Sequence, residues 1–255
     1  MRYVALLCVA VGMQYVDFGE AMIDTMQRTL FDAYVEEYEQ ACARGLAYSG
    51  ESREYFVEQR ARHTAKLVEK HGPTVVNGVL DFGCGVGLSL PVLGRHFPGA
   101  SLTGVDVSQR AIQFAKQQYA SSSYRFAVVE DLSPEPRFDV VYCNGVFHHI
   151  PIDERAQAVD YIYRSLIAGG VVALWENNPW NPGTRWVMKH ISFDRDAVML
   201  SSRTAVKLLR AGGFRILETR SYFYFPHLLA PLRFFEPTLE AIPLGAQFVT
   251  LAQKV

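Results

Sequence analysis

Apolar positions follow helical spacing in some stretches of the chain and form short continuous runs in others. Between Arg28 and Gly45, Phe31, Tyr34, Val35, Tyr38 and Cys42 recur at helical intervals, and Gly45 is a fitting stop. A second helix is predicted from Ser49 or Ser52, carrying Tyr55, Phe56, Arg60, His63 and Leu67 and ending at Gly72-Pro73. Beyond it the pattern alternates. Strands are predicted at 78–82, 101–106, 124–130, 138–143 and 171–176, each short, apolar and rich in Val or aromatics. Amphipathic helices are predicted between them at Leu88–Phe97, Gln109–Tyr119 and Glu154–Leu166, with Ser108 and Asp153 as N-caps and Gly169-Gly170 as a C-terminal stop. Nearly continuous apolar strands alternating with helices imply a parallel sheet covered on both faces, an α/β fold.

Residues 176–214 begin as a loop rich in proline. They then give a helix with Val206, Leu208 and Leu209 that Ser201 or Ser202 caps and Gly212-Gly213 ends. Phe214–Arg220 and Gln247–Lys254 read as strands. The connection between them, residues 222–245, is aromatic and broken by prolines, a length that points to function rather than simple linkage.

Composition narrows the partners. The 255 residues are 49% hydrophobic and 20% charged, enough for one sizeable core, and the net charge of −1 with dispersed Lys and Arg argues against nucleic acid. Cys8, Cys42, Cys84 and Cys143 show no CxxC or His-spaced pairing, so neither a metal site nor a disulfide framework is expected, and reduced thiols fit the cytoplasm. Residues 1–25 form an apolar extension. Its run over residues 2–16 is too short to span a bilayer and reads as a signal peptide, as the product of an upstream start before Met22 or Met26, or as a segment buried on the domain or a partner.

The stretch VLDFGCGVGLSLPVLGRHF, residues 79–97, concentrates glycines where the first strand meets its helix. Ligands of such sheets bind outside the carboxyl ends of the strands, and glycines there let the backbone approach them. Gly87 opens a helix whose free amides favour an anionic group. Asp106, nineteen residues further on, falls at the end of the second strand, where a carboxylate can accept from both hydroxyls of a ribose. A dinucleotide fingerprint would need glycine at the position of Leu88.

The fuller pattern, DFGCGVG at 81–87, VDVS at 105–108, VEDL at 129–132 and FDVVYCNGVFHHIP at 138–151, resembles the class I S-adenosylmethionine-dependent methyltransferases, in their small-molecule branch. The resemblance implies a doubly wound, seven-stranded, mostly parallel Rossmann-like sheet with an antiparallel C-terminal hairpin. It also implies helices at 26–73 covering the cofactor, and a methyltransferase domain at 74–255 with substrate-facing insertions at 177–200 and 222–245. Asp81, Gly83, Cys84 and Gly85 would lie along the methionine and ribose portions of S-adenosylmethionine, and Asp106 would hold the ribose. Val107 and Leu132 would flank the adenine, whose amino group Asp131 would bind, and Asn144 and Gly145 would lie beside the sulfonium. Asp106 could instead cap the following helix, and Asp131 could close a turn.

Methyl transfer needs a base only when the acceptor must lose a proton. His148 and His149 are the candidates, with a structural role as their alternative. Tyr34, Tyr38, Trp180 and Trp186, with the 222–245 insertion, would roof a pocket for an apolar or aromatic small-molecule acceptor such as a polyketide, quinone or isoprenoid lipid. Packing or a homodimer interface is the other use for those aromatics. Membrane contact is disfavoured, because the insertion lacks a basic face. The rival functions are a binding or regulatory protein on a cofactor fold, and a nicotinamide-dependent oxidoreductase, which Leu88 and a missing Tyr-xxx-Lys relay disfavour.

Overall fold

The computed structural model describes residues 49–119, 123–190 and 197–255. Helix α1 (Arg53–His71) starts where the sequence places it, with Ser52 Oγ accepting from Tyr55 N, and it precedes strand β1 (Gly78–Phe82). Then come α2 (Ser89–His96), β2 (Ser101–Asp106), α3 (Gln109–Gln118), β3 (Tyr124–Val128), β4 (Phe138–Asn144), α4 (Arg155–Ser165) and β5 (Leu166–Asn177). The chain ends in α5 (Pro182–His190), α6 (Ser202–Ala211), β6 (Phe214–Tyr222), α7 (Glu236–Leu239) and β7 (Gln247–Lys254).

The seven strands form one sheet in the order β3-β2-β1-β4-β5-β7-β6. Strands β1 to β5 run parallel, and β7 is antiparallel to both β5 and β6. The central strands carry apolar residues on both faces because both faces are covered. Every residue of β1 is buried. Val79, Val140 and Tyr142 pack beneath α1, α2 and α3 with Leu67, Leu90 and Ile112, while Leu80, Val141 and Cys143 pack against Val159, Ile162 and Leu209 of α4 and α6. Side chains alternate across the sheet, so Asp81, between Leu80 and Phe82, faces α1.

Several boundaries differ from the sequence expectation. Residues 129–131 form a 3-10 turn rather than the end of β3. Asp153 is not the cap of α4: Glu154 precedes the helix in helical conformation with no side-chain cap bond, and Glu154 N closes a turn onto Pro151 O at 3.1 Å. Gly169-Gly170 do not stop that helix either. It ends at Ser165, β5 begins at Leu166, and the glycines lie in an irregularity between the pairs Phe138↔Leu166 and Val140↔Val171. Gly169 has φ 78, and a Cβ on Gly170 would stand 3.1 Å from Asp139 O, so both are glycines of strand pairing. The 177–200 stretch contains α5, and the 222–245 connection folds into a 3-10 segment, His227–Phe235, followed by α7.

No helix among the described residues is long and apolar enough to cross a membrane. Cys84 and Cys143 are buried free thiols whose ionisation burial opposes.

Candidate active site

The glycine turn is built onto β2. Gly83 N and Cys84 N both donate to Val105 O, at 2.8 and 2.9 Å, and Gly85 N donates to Asp106 Oδ2 at 2.8 Å. The other Asp106 oxygen accepts Ser108 N at 2.9 Å, while Ser108 Oγ caps α3 by accepting Ala111 N. The glycines differ in what they serve. A Cβ on Gly83 would stand 2.3 Å from Val146 Cγ2, and one on Gly87 would stand 2.8 Å from Phe126 Cε1; both residues have positive φ. These two are required by the protein's own packing. Gly85, with φ 52, has open space where its Cβ would be, so it is the position at which a ligand can approach the main chain.

That space belongs to a cavity of about 530 Å³. Its wall brings together Asp81, Gly83, Cys84, Gly85, Asn144, Gly145, His148, His149 and Trp186 of the residues expected from sequence. Others lie off this wall. Asp106 stands behind the glycine turn that it anchors. Val107 is 41% exposed just beyond β2, Asp131 is exposed, and Leu132 is buried with its carbonyl accepting Tyr161 OH. Trp180 is partly exposed and stacks under Arg203. Tyr34 and Tyr38 lie outside the described residues.

At one end the cavity is polar. Asp81 on β1 pairs in register with Tyr142 on β4, and both face α1, which supplies Arg60. Asp81 is 2% exposed, and its pKa is pushed up to about 8, first by burial and then by repulsion from Asp106, with Arg60 pulling the other way. Among the described residues, Asp81 Oδ2, Arg60 Nε and Tyr142 OH are the buried side-chain polar atoms without a hydrogen-bond partner. Buried polar atoms left unpaired in this way call for a partner from outside the chain. A free amino acid headgroup would supply the missing partners, its ammonium to the carboxylate and its carboxylate to the guanidinium.

Aromatic side chains make up much of the rest of the lining. Phe56 and Tyr55 of α1 meet Phe223 edge-on at 5.0 and 6.4 Å, and Tyr224, Phe225 and Trp186 continue the wall. Phe223 has φ 64, a backbone conformation that a phenylalanine adopts only under constraint; its carbonyl accepts Ala246 N and the residue lines the cavity. Arg233 lies over the Tyr55 ring and is paired with Glu51 at 2.8 Å, which ties the insertion to the start of α1. His148 lies on the same wall. It is 4% exposed, and its Nδ1 is 2.6 Å from Glu176 Oε2.

Arg60, Tyr142, Glu176 and Phe223 were missed as site residues. Two of them had a signal. Arg60 interrupts the apolar face of α1, and Glu176 follows the apolar run 171–175 near the end of β5; a charge in either place has to be paired. Phe223 had none, because its backbone strain arises from how β6 meets the insertion.

Residues 80–172 match a family described as a methyltransferase domain. The trans-aconitate 2-methyltransferase of Delftia acidovorans is 27% identical over 172 residues, 66% of this chain and 61% of that protein. The ubiquinone biosynthesis O-methyltransferase of Alkalilimnicola ehrlichii is 32% identical over 157 residues, 58% of this chain and 61% of that protein. The chain thus spans about three fifths of the length of these relatives. A SAM-dependent methyltransferase structure from Archaeoglobus fulgidus shares the fold, with a TM-score of 0.60 at 17% identity over 80% of this chain and 95% of that one. The strand order, the glycine turn and this match agree: residues 80–172 are similar to a methyltransferase domain and sit in a sheet of the fold seen in SAM-dependent methyltransferase structures.

Proposed function

We propose that the chain transfers a methyl group from S-adenosylmethionine to an aromatic or otherwise apolar small molecule held in the cavity between the glycine turn and the 222–245 insertion. The observation that carries this reading is the pair of unpartnered, buried atoms, Asp81 Oδ2 and Arg60 Nε, on residues that line a cavity also walled by aromatic side chains. S-adenosylmethionine supplies a sulfonium that is already a strong electrophile. Asp81 and Arg60 would hold its amino acid end, the Gly83–Gly85 turn would bear on the chain between headgroup and ribose, and Asn144 and Gly145 would stand beside the methyl. Asp106 and Val107, with Asp131 and Leu132, would take the ribose and adenine outside the enclosed cavity.

The remaining task of the protein is to align the acceptor and exclude water, which supplies most of the acceleration in such displacements. The aromatic wall suits that task, and a volume near 530 Å³ suits a drug-sized occupant. An aromatic acceptor of the kind named for the ubiquinone relative fits this wall better than the polycarboxylate named for the trans-aconitate relatives. Arg233, which lines the cavity beside Arg53, is paired with Glu51.

Calorimetry with S-adenosylmethionine, S-adenosylhomocysteine and NAD tests the cofactor half. Binding of the first two and not the third is expected, and binding of neither would overturn the reading. Incubation of labelled donor with extract fractions, followed by identification of the product, tests the acceptor half.

A further inference from the structure

A guanidinium can only donate, so an amide bonded to it must turn its oxygen inward, and the orientation of that amide is fixed. Arg60 of α1 is 8% exposed, and its Nη1 donates to Gln247 Oε1 at 3.1 Å. Gln247 Nε2 then points the other way and donates to Asn177 Oδ1 at 2.9 Å. All three residues line the cavity. Gln247 opens β7, which lies between β5 and β6, and it pairs with Asn177 on one side and Tyr222 on the other. Ala246, just before it, is held as well: its N donates to Phe223 O, and its carbonyl accepts Asn178 N and Thr184 Oγ1. The amide that meets Arg60 is therefore mounted on backbone tied from both sides.

Two features of this contact bear on a ligand. The Nε and Nη2 hydrogens of a guanidinium point the same way and form the edge that takes a carboxylate through two bonds. Gln247 engages Nη1, which lies off that edge, and Nε has no partner. Gln247 is also neutral. A glutamate in its place would hold Arg60 at least as firmly but would cancel the charge that an anionic ligand needs. We propose that Gln247 is the positioning residue of the cofactor's carboxylate site: it aims the unpartnered edge of Arg60 at the amino acid end of S-adenosylmethionine without neutralising it, and Asn177 keeps its amide from rotating. This rests on the methyl-transfer reading above, in which Arg60 takes that carboxylate. Because the contact exists before the ligand arrives, binding does not have to order a long flexible side chain.

The test compares two ligands that differ in the group concerned. S-adenosylhomocysteine carries the amino acid end, and 5′-methylthioadenosine has the same nucleoside and sulfur without it. Calorimetry on the full chain should show S-adenosylhomocysteine favoured at least about tenfold. Gln247→Met keeps the length of the side chain and removes both hydrogen bonds. It should lower S-adenosylhomocysteine affinity about tenfold and change 5′-methylthioadenosine affinity less than about twofold. Gln247→Glu keeps the acceptor for Arg60, so a purely structural role predicts no loss, whereas the proposal predicts the same selective loss of about tenfold. In an Arg60→Met background, Gln247→Met should cost nothing further, because its effect passes through the guanidinium. Equal loss of both ligands, unchanged S-adenosylhomocysteine affinity in both single variants, or a loss undiminished in the Arg60→Met background overturns the inference. Equal binding of the two ligands by the unaltered protein overturns it too, and leaves the cofactor reading standing. If the unaltered protein binds neither, it is the methyl-transfer reading that fails, and the inference with it.

Discussion

Asp81→Asn offers the sharpest reading of the polar end of the cavity. In the ligand-free protein the Asp81 carboxyl is fully buried with one oxygen unbonded, and its pKa is raised from an ordinary 3.8 to about 8. A folded-state pKa above the unfolded value means that the folded chain holds a proton which the unfolded chain releases. Stability from this group is therefore complete below pH 4 and is lost as the pH climbs toward 8. Each pH unit in that window is worth about 1.4 kcal/mol, so the free protein should lose about 3 to 4 kcal/mol between pH 5 and pH 8 on account of this one side chain. Burial lowers the pKa of His63 to about 4, which contributes in the opposite sense up to its unfolded pKa, but equally in both proteins. Urea unfolding of wild type and Asp81→Asn across this range isolates the Asp81 contribution. The gap between the two stability curves should widen toward high pH, and saturating S-adenosylhomocysteine should narrow it, because the ligand ammonium stabilises the ionised carboxylate. At pH 7 calorimetry in buffers of different ionisation enthalpy should register release of close to one proton per ligand bound by the wild type. Parallel curves, or binding without proton release, would refute the argument.

Other outcomes follow from the same geometry. Arg60→Met should weaken S-adenosylhomocysteine at least about tenfold by calorimetry while the chain stays folded, since the guanidinium is replaced by a side chain that fills the same apolar face of α1. Gly87→Ala should lower the unfolding free energy by about 1 to 3 kcal/mol in urea titration, because its φ is positive and the new Cβ meets Phe126 and Ala115. Trp186→Ala should raise the acceptor KM about tenfold in steady-state assays and leave S-adenosylhomocysteine affinity unchanged, because this ring, 46% exposed, lines the cavity from α5, which contributes none of the Asp81, Arg60 and Gly85 groups assigned to the cofactor.

Local signals identified much of this architecture. Ser52 and Ser108 cap helices as read, because a side-chain oxygen before an apolar-periodic run has few other uses. The glycine turn was legible as a turn, but not what each glycine serves: Gly83 and Gly87 answer to Val146 and Phe126, residues far along the chain, and only Gly85 opens onto the cavity. Asp153 and Gly169-Gly170 misled for the same reason. A turn closed by backbone and a strand irregularity against β4 displaced the cap and stop that their sequence neighbourhood predicts.

The sequence by itself determined the alternation of strands and helices, the residues that line the carboxyl edge of the sheet, and the resemblance of residues 80–172 to a methyltransferase domain, because these depend on the order and period of nearby side chains. Only the tertiary structure decided which groups meet there. Arg60 comes from a helix before the sheet, Asp81 and Tyr142 from neighbouring strands, and Glu176 reaches back from β5 to His148. Their meeting depends on strand order and on which face of the sheet each side chain takes. The burial that raises the pKa of Asp81, and the pairing that makes a buried Glu176 tolerable, exist only once that packing is complete.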